Sequence, residues 1–326
     1  MNDLVRIEGG EVYDPANGIE GEIRDVWIAG GKIVAAPSDP AVRPTRVINA
    51  AGRVVMPGGV DMHCHIAGPK VNAVRLMRPE EKRTAEPVVR RGGLRSGTLG
   101  SVPSTFATGY KYLGLGYTTA FDAAVPPLLA RHAHEEFEDT PGIDKGFYIL
   151  AGNNQFILQA IREREPQRVR AFLGWLLGKS LAYGVKLVNP GGVEAWKQQA
   201  EGNVSGLDEE VPHFRVTPRE IIVGLAQAAD ELALQHHVHI HCNNLGMPGN
   251  WRNTLGTLEA LEGRRGHLTH IQFHSYAGGE GAEESFGSAV EPLAEYVNGH
   301  ANISVDVGQV LFGDTTSMTG DGPVGW

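Results

Sequence analysis

Two histidines one residue apart follow the first apolar strand pattern after the amino-terminal region. They are His63 and His65, in the segment VVMPGGVDMHCH. In an extended chain, residues two apart point to the same side, so both imidazoles should project together from the strand end. Two imidazoles placed in this way can share one Zn²⁺ at about 2.0–2.1 Å each. The spacing therefore predicts a metal site, with Cys64 pointing the other way as a structural residue.

A second His-x-His pair serves as an internal control. His132 and His134 lie in the segment LLARHAHEEFED, which has a helical pattern. Residues two apart on a helix diverge by about 200°, because each residue turns the chain by about 100°. We therefore expect these two histidines to be surface residues that do not converge on one metal.

A lysine lies inside an apolar strand pattern. It is Lys186, in the segment YGVKLVNPGG. A buried amine is costly unless it is paired or neutral, and burial lowers its pKa and makes it nucleophilic. A neutral amine can capture CO₂ as a carbamate, an anionic ligand whose two oxygens can bridge two metal ions. The alternative is a salt-bridged lysine, or one whose amine reaches solvent.

Four more histidines lie in two later strand patterns. The segment VHIHCNN carries His239 and His241, which share a strand face, and His241 is the better ligand candidate because it lies nearer the strand end. The segment LTHIQFHSY is interpreted as a strand that carries His270 and His274. We favour His270 as the metal ligand and expect His274 nearer the rim, within reach of a substrate.

Polar and basic residues follow these strands. Asn189, Asn243 and Asn244 could hydrogen-bond to an amide or formyl oxygen, or each could hold a turn. The stretch 66–95 has eight basic and three acidic residues in a chain of net charge −9. Such a loop, through residues such as Arg78, could attract an anionic substrate or dock an acidic partner; a solvated charged loop is the alternative.

The elements that must position these residues follow a simple order. Residues 1–55 have short strand patterns around glycine-containing turns such as EGG and AGG, which predicts a small amino-terminal β unit. From residue 56 to 326, apolar runs alternate with helical segments, the pattern of parallel βα units. One of these helices should begin with a capping box, with Thr217 as cap, Pro218 first and Glu220 third.

Seven strand patterns can be counted in the second region. The chain is therefore predicted to be an α/β protein with a TIM-type (β/α)8 barrel, one strand short of closure, and we expect it to be truncated before strand eight. The seven patterns are VVMPGGVDMHCH, YTTAFDAAV, GFYILAG, GVKLVN, VHIHCN, HLTHIQF and NISVDVG.

Composition excludes several classes of protein. The 326 residues are 41% hydrophobic and 21% charged, which is enough apolar material for a core. The net charge of −9 disfavours a generic nucleic-acid binder. The two cysteines belong to no Cys-x-x-Cys pair, which predicts free thiols in a reducing compartment. The start MNDLVRIEGG lacks an apolar signal region, and no stretch resembles a membrane span, so we expect a cytoplasmic location.

The motifs carry a family resemblance. The segment PGGVDMHCH, preceded by a strand-rich stretch, resembles the opening of the amidohydrolase superfamily. Within it, the chain is similar to the A-subunit family of formylmethanofuran dehydrogenase and of the formyltransferase/hydrolase complex of methylotrophs. The segments that carry this closer similarity are VNPGG, HIHCNNLGMPGNW, LTHIQFHSYAG and QVLFGDTTSMTGDGP.

The resemblance implies a fold and a metal site. The fold is a metallo-dependent hydrolase barrel with a small amino-terminal β-sandwich. The site holds two Zn²⁺ ions: His63 and His65 bind one, a carboxylated Lys186 bridges to the other, and His241 and His270 complete the second. The family adds a general-base aspartate from strand eight, which this chain does not contain. Asp306, near strand seven, is a poor substitute by position.

The resemblance also implies an activity. It is zinc-dependent hydrolysis of the N-formyl C–N bond of formylmethanofuran to formate and methanofuran, or the reverse, beside other subunits of a one-carbon complex of the kind used in methanogenesis. Lys186, His241 and His274 would be the catalytic residues in this chain. Asn189, Asn243, Asn244 and Arg78 would bind a substrate whose carboxylates suit the basic loop.

Two alternatives stay open. A hydantoinase- or dihydroorotase-like cyclic amide hydrolase would share the His-x-His pair, the lysine and the later histidines, but the 66–95 insertion argues against it. A non-catalytic scaffold protein within the complex is the alternative from another class, and the missing strand-eight aspartate motivates it.

Overall fold

The computed structural model describes residues 3–67, 105–198, 203–279 and 287–308. The chain divides into two compact units, with the division after Gly59. The basic stretch that includes Arg78 lies outside the described residues.

The first unit is built around one long strand. In its described residues, a five-stranded sheet has the order β3-β2-β1-β4, with β5 also paired to β1. The strands are β1 (Leu4–Asp14), β2 (Ile19–Ala29), β3 (Lys32–Val34), β4 (Arg46–Asn49) and β5 (Val54–Val55).

The two glycine pairs of this unit have different roles. Gly30 and Gly31 both have positive φ and form the predicted turn between β2 and β3. The EGG segment was expected to be a turn too, but that prediction is wrong. Gly9 has a φ of 67° inside β1, where the register against β2 shifts, so it makes a bulge.

In its described residues, the second unit contains a curled parallel sheet of seven strands in sequence order, with helices between them, so the expected α/β barrel class is confirmed. The strands are β6 (Gly59–Cys64), β7 (Tyr117–Val125), β8 (Asp144–Leu150), β9 (Gly184–Val188), β10 (Val238–His241), β11 (Gly266–Leu268) and β12 (Ile303–Val305).

Helices follow the strands of this unit. They are α1 (Thr105–Gly114), α2 (Ala130–Glu138), α3 (Gln155–Arg162), α4 (Pro166–Ser180), α5 (Gly192–Gln198), α6 (Pro218–Glu231), α7 (Trp251–Ala260) and α8 (Val290–Gly299). The capping box of α6 is confirmed: the Glu220 N–H donates to Thr217 Oγ1 at 3.2 Å, and the Thr217 N–H donates to Glu220 Oε2 at 2.9 Å.

The limits of two of the seven expected strands differ from the structure in ways that affect the candidate site. Val54 and Val55 pair with β1 of the first unit, so barrel strand β6 begins only at Gly59. The sixth strand ends at Leu268, and His270 adopts a left-handed φ of 38° before a short 3-10 helix, Ile271–His274. His270 and His274 are therefore not on one strand face, and that prediction is wrong.

The core of the second unit lies between the sheet and its helices. Register partners Leu187 and Ile240 on β9 and β10 are buried there, as are Leu173 of α4 and Leu225 of α6. Alternate residues of the same strands face the opposite side, inside the curl of the sheet. That inner side is polar. In the part of the chain that the structure describes, no helix is both long and apolar enough to cross a bilayer.

Candidate metal centre

A row of register partners crosses the inner side of the sheet. Lys186 on β9 pairs with His239 on β10, His239 with His267 on β11, and His267 with Ser304 on β12. Partners in a parallel sheet project to the same face, so the four side chains lie side by side. Lys186, His239 and His267 are all buried. The sheet thus places an amine and two imidazoles in a desolvated interior.

Three imidazoles gather beyond the ends of β10 and β11. The ring of His241 lies 4.6 Å from that of His270 and 5.1 Å from that of His274, centroid to centroid. One ring nitrogen of each residue lies within 4.8 Å of the others, close enough for one ion to bind all three. Within the described ranges, His270 Nδ1 and both ring nitrogens of His274 are buried without a hydrogen-bond partner.

The environment keeps these rings neutral. Burial lowers the pKa of His270 to about 4, and burial also lowers the pKa of His274 to about 3. Burial and the neighbouring His274 hold the pKa of His241 well below its usual value. A neutral imidazole offers a lone pair, which is the form that binds a metal.

The two later histidines differ in burial. His274, which was expected nearer the rim, is only 1% exposed, whereas His270 is half-buried. The 3-10 helix turns His274 back into the protein, where an extended strand would have carried it outwards. The structure therefore groups His274 with the candidate ligands.

A second group adjoins the first, since the ring of His63 lies 5.1 Å from that of His270, centroid to centroid. His63 of β6, His239 and Asp306 have ligand atoms within 4.8 Å of one another. His63 Nδ1 is 2.9 Å from His239 Nε2. Burial, and next the charge of Lys186, hold the pKa of His63 well below its usual value.

Asp306 was expected to be a poor substitute for the family's strand-eight aspartate because of its position near strand seven, and that stays a prediction. Its carboxylate lies in this second group, 2.9 Å from His267 Nε2, and it accepts the His270 N–H at 2.6 Å. Burial raises the pKa of Asp306, but the hydrogen bonds from His267 and His270 outweigh this effect, so that pKa is lowered. The acid is therefore held as a carboxylate.

Lys186 acts on both groups through its charge, which contributes to lowering the pKa of His63 in one group and of His241 in the other. It is 1% exposed, and its Nζ has no hydrogen-bond partner among the residues that the structure describes. Burial lowers the pKa of Lys186 to about 7, against the opposing effect of Asp306. An unsatisfied buried amine costs free energy, so the site favours its neutral form or a partner that satisfies it.

The end of β6 is held by its neighbours. Asp61 accepts the His63 N–H at 3.0 Å and the Tyr112 hydroxyl at 2.8 Å. The Cys64 thiol donates to the Phe121 carbonyl at 3.1 Å, so this residue points away from the histidines as expected.

The position of His65 is different from that of His63. Its ring centroid lies 5.4 Å from that of His63, yet the residue is exposed and belongs to neither ligand group. Asp122 Oδ2 accepts the N–H groups of Ile66 and Ala67, at 2.9 and 3.0 Å, and so fixes the chain just after it. A metal-binding role for His65 stays a prediction.

The side-chain amides of the asparagines expected to bind substrate already make hydrogen bonds within the protein. Asn189, with a φ of 44°, donates to Asn203 Oδ1 and accepts from Asn243 Nδ2, so it holds the loop after β9. Asn243 Nδ2 also donates to the Pro190 carbonyl, so neither of its amide hydrogens is left for a formyl oxygen. Asn244 Nδ2 donates to the Val204 carbonyl, which leaves one hydrogen. The Oδ1 atoms of Asn243 and Asn244 could accept a substrate N–H.

The control pair behaves mostly as expected. His132 and His134 lie on helix α2 and do not share a ligand group in the described residues. His132 is exposed beside Glu136. His134 is not a surface residue, however: it is half-buried, 2.8 Å from the Ser180 carbonyl and against the ring of Phe147.

Comparison with known proteins identifies the family of the chain. Residues 46–323 match the amidohydrolase family, and the chain belongs to that family. Protein FwdA of Methanocaldococcus jannaschii is 48% identical over 98% of this chain and 56% of that protein. The A-type component of the formyltransferase/hydrolase complex Fhc of Methylorubrum extorquens is 39% identical over 98% of this chain and 57% of that protein.

A solved structure is also similar. In the crystal structure of the formyltransferase/hydrolase complex of Methylorubrum extorquens with methylofuran, one chain superposes with a TM-score of 0.84 at 38% identity. The match covers 95% of this chain and 55% of that one. This chain therefore spans little more than half the length of the relatives it matches.

Proposed function

We propose that this chain is the metal-binding part of an amidohydrolase that hydrolyses, or in reverse forms, the N-formyl amide of a formylmethanofuran-type substrate. The observation that carries the proposal is that two groups of neutral histidines, one of them with a carboxylate, lie in the interior that buries Lys186, whose charge acts on both groups. The relatives named above support the substrate class, because one belongs to a formyltransferase/hydrolase complex and such a complex was crystallised with methylofuran.

The residues present fit a pair of divalent ions. Two separate groups of donors are available, and the buried nitrogens of His270 and His274 that have no partner in the described residues suit coordination. Zinc fits imidazole and carboxylate ligands. We propose that His241, His270 and His274 contribute to one site, and His63, His65 and Asp306 to the other. Bound ions supply Lewis acidity, which polarises a carbonyl and makes water a better nucleophile near neutral pH.

Lys186 is proposed as the link between the sites. Its neutral amine would add to CO₂ to give a carbamate and one proton, and the product is an anion where the free lysine would be a cation. Conversion to an anion reverses the electrostatic effect on the neighbouring sites, because a protonated lysine would repel a metal ion. Burial favours the neutral amine that this addition needs.

The protein's own groups then position the substrate. The Oδ1 atoms of Asn243 and Asn244 are the acceptors left for a substrate N–H. Arg78 stays a predicted contact for substrate carboxylates. The remaining acid–base step requires a general base, and the family's strand-eight aspartate is the one proposed from the resemblance.

We further propose that the chain works in the cytoplasm as an A-type component beside the other subunits of a one-carbon complex. The cyclic amide hydrolase and the non-catalytic scaffold are the competing functions.

The test combines metal content with substrate choice. The full chain, expressed with its partner subunits, should contain about two zinc ions and release formate from formylmethanofuran, but should not open hydantoin or dihydroorotate. Lys186→Ala should lose both zinc and formate release, whereas Thr217→Ala, which removes a helix cap outside both ligand groups, should retain them. Hydrolysis of a cyclic amide instead, or zinc-free protein that still assembles the complex, would favour one of the competing functions.

A further inference from the structure

The ring of His63 is held on one side by two partners. Its Nδ1 lies 2.9 Å from His239 Nε2 and in hydrogen-bond contact with Thr269 Oγ1. His239 is completely buried, and Thr269 is too. Because Nδ1 is occupied in this way, Nε2 is the nitrogen of His63 that remains for another interaction.

The proposed metal role gives these contacts a direction. A nitrogen that binds a metal carries no hydrogen, so a neutral His63 that binds through Nε2 carries its one ring hydrogen on Nδ1. That hydrogen faces Thr269 Oγ1 and His239 Nε2, and both atoms can accept it.

The same direction continues through His239. With a hydrogen on His63 Nδ1, His239 Nε2 also accepts, so a neutral His239 carries its own hydrogen on Nδ1. That Nδ1 lies 3.2 Å from Nε2 of buried His236. The ring of Tyr148 stacks on both His236 and His239, at 4.9 and 4.6 Å between centroids, and keeps the two imidazoles in place.

We infer that His239 and Thr269 are positioning residues, which fix His63 in the tautomer with hydrogen on Nδ1 and so present only Nε2 to a metal. His239 is by this inference an acceptor for His63 and not itself a ligand, although it lies in the same group of possible donors. The inference rests on the proposed metal function and adds which nitrogen binds and which residues select it. Outer partners of metal-binding histidines typically change metal affinity by about 10–100-fold.

The first experiment needs no metal. Long-range ¹H–¹⁵N correlation spectra of the full chain, with ¹⁵N-labelled histidine and a chelator present, should show His63 protonated at Nδ1. His239→Leu, which removes the acceptor, should leave a mixture of the two His63 tautomers, whereas His239→Gln can still accept through its amide oxygen and should keep the Nδ1–H form. A wild-type His63 that is protonated at Nε2 would overturn the inference.

The second experiment measures zinc affinity by competition with a chromophoric chelator. His239→Leu and Thr269→Val should weaken binding by about 10–100-fold at an unchanged number of ions, with Thr269→Ser close to the wild type. Loss of one whole ion in both His239→Leu and His239→Gln would mean that His239 is a ligand, and would refute the inference. A wild-type chain that binds no zinc would defeat the proposed function, while the spectra would still decide the tautomer.

Discussion

Lys186 and His239 are register partners on neighbouring parallel strands, and both side chains are buried on the inner side of the sheet. The charge of Lys186, after burial itself, is the main cause that lowers the pKa of His239. A protonated lysine in this interior therefore opposes metal binding by the nearby imidazoles, because it would repel the metal ion. This repulsion is removed if the amine is neutral or is converted to an anion, and several measurements can detect which applies.

Replacement of Lys186 should separate metal binding from folding. Lys186→Met removes the proposed bridging group but fills the same space with an unbranched apolar chain. We expect the zinc content to fall sharply, while the metal-free variant is at least as stable as the metal-free wild type because no buried amine remains unsatisfied. Elemental analysis measures the zinc content, and urea unfolding with a chelator measures the stability of the metal-free protein. Unchanged zinc content in Lys186→Met would show that the lysine is not part of the metal site.

The stability of the metal-free protein should depend on pH through Lys186. Its pKa is lowered to about 7 in the folded chain by burial, against an ordinary value of about 10.4. Between these values the unfolded chain binds more protons, so the free energy of unfolding should rise with pH, by up to about 1.4 kcal/mol per unit. Urea titrations in CO₂-free buffer, compared with Lys186→Met, isolate the contribution. The same slope in both proteins would contradict the lowered pKa.

Asp306 should stabilise the folded chain as a carboxylate. Asp306→Asn replaces a charged acceptor of the His270 N–H and the His267 ring, and we expect a loss of about 1–3 kcal/mol in the free energy of unfolding near pH 7. The wild type should approach the variant as the pH falls through the lowered pKa of Asp306, because the stabilisation exists only above it.

A matched control for this change exists in the first unit. Asp25 also accepts a backbone N–H, from Gly9, and the Nε–H of Arg6, and its side chain is exposed to nearly the same extent as that of Asp306, 30% against 25%. Asp25→Asn should therefore cost a similar free energy of unfolding but leave the zinc content unchanged. An equal loss of zinc in both variants would show that the effect of Asp306→Asn is general destabilisation.

The capping box of α6 predicts a purely local effect. Thr217→Ala removes the acceptor for the Glu220 N–H and should lower the free energy of unfolding by about 1 kcal/mol. Thr217→Ser keeps the hydroxyl and should retain most of the free energy of unfolding that Thr217→Ala loses. Neither variant should change zinc affinity, and a change in that affinity would indicate that α6 transmits strain to the site.

Much of the architecture follows from local patterns in the sequence. The alternation of apolar runs and helical segments predicts the parallel sheet, and the capping residues predict where α6 begins. Lys186 is identifiable because a lysine within an apolar run of a strand must be buried, and the structure places it there. These predictions succeed because strand alternation, capping and burial depend on residues a few positions apart.

The sixth strand shows where local patterns fail. LTHIQFHSY has the apolar alternation of a strand, but the contact of Asp306 with the His270 N–H helps to end the ladder and a 3-10 helix follows. Asp306, which accepts the His270 N–H, lies 36 residues further along the chain, so no local pattern reveals this contact.

The sequence by itself determined the class of fold, the presence of a metal-type histidine set and the buried lysine. The tertiary structure decided the membership of each ligand group: it brought Asp306 and His239 to His63, moved His274 inwards and committed the amide of Asn189 to its loop. His63 and His239 are 176 residues apart in the chain. Their contact depends on how far the sheet curls and on the register of every strand between them, and these are properties of the whole packed unit.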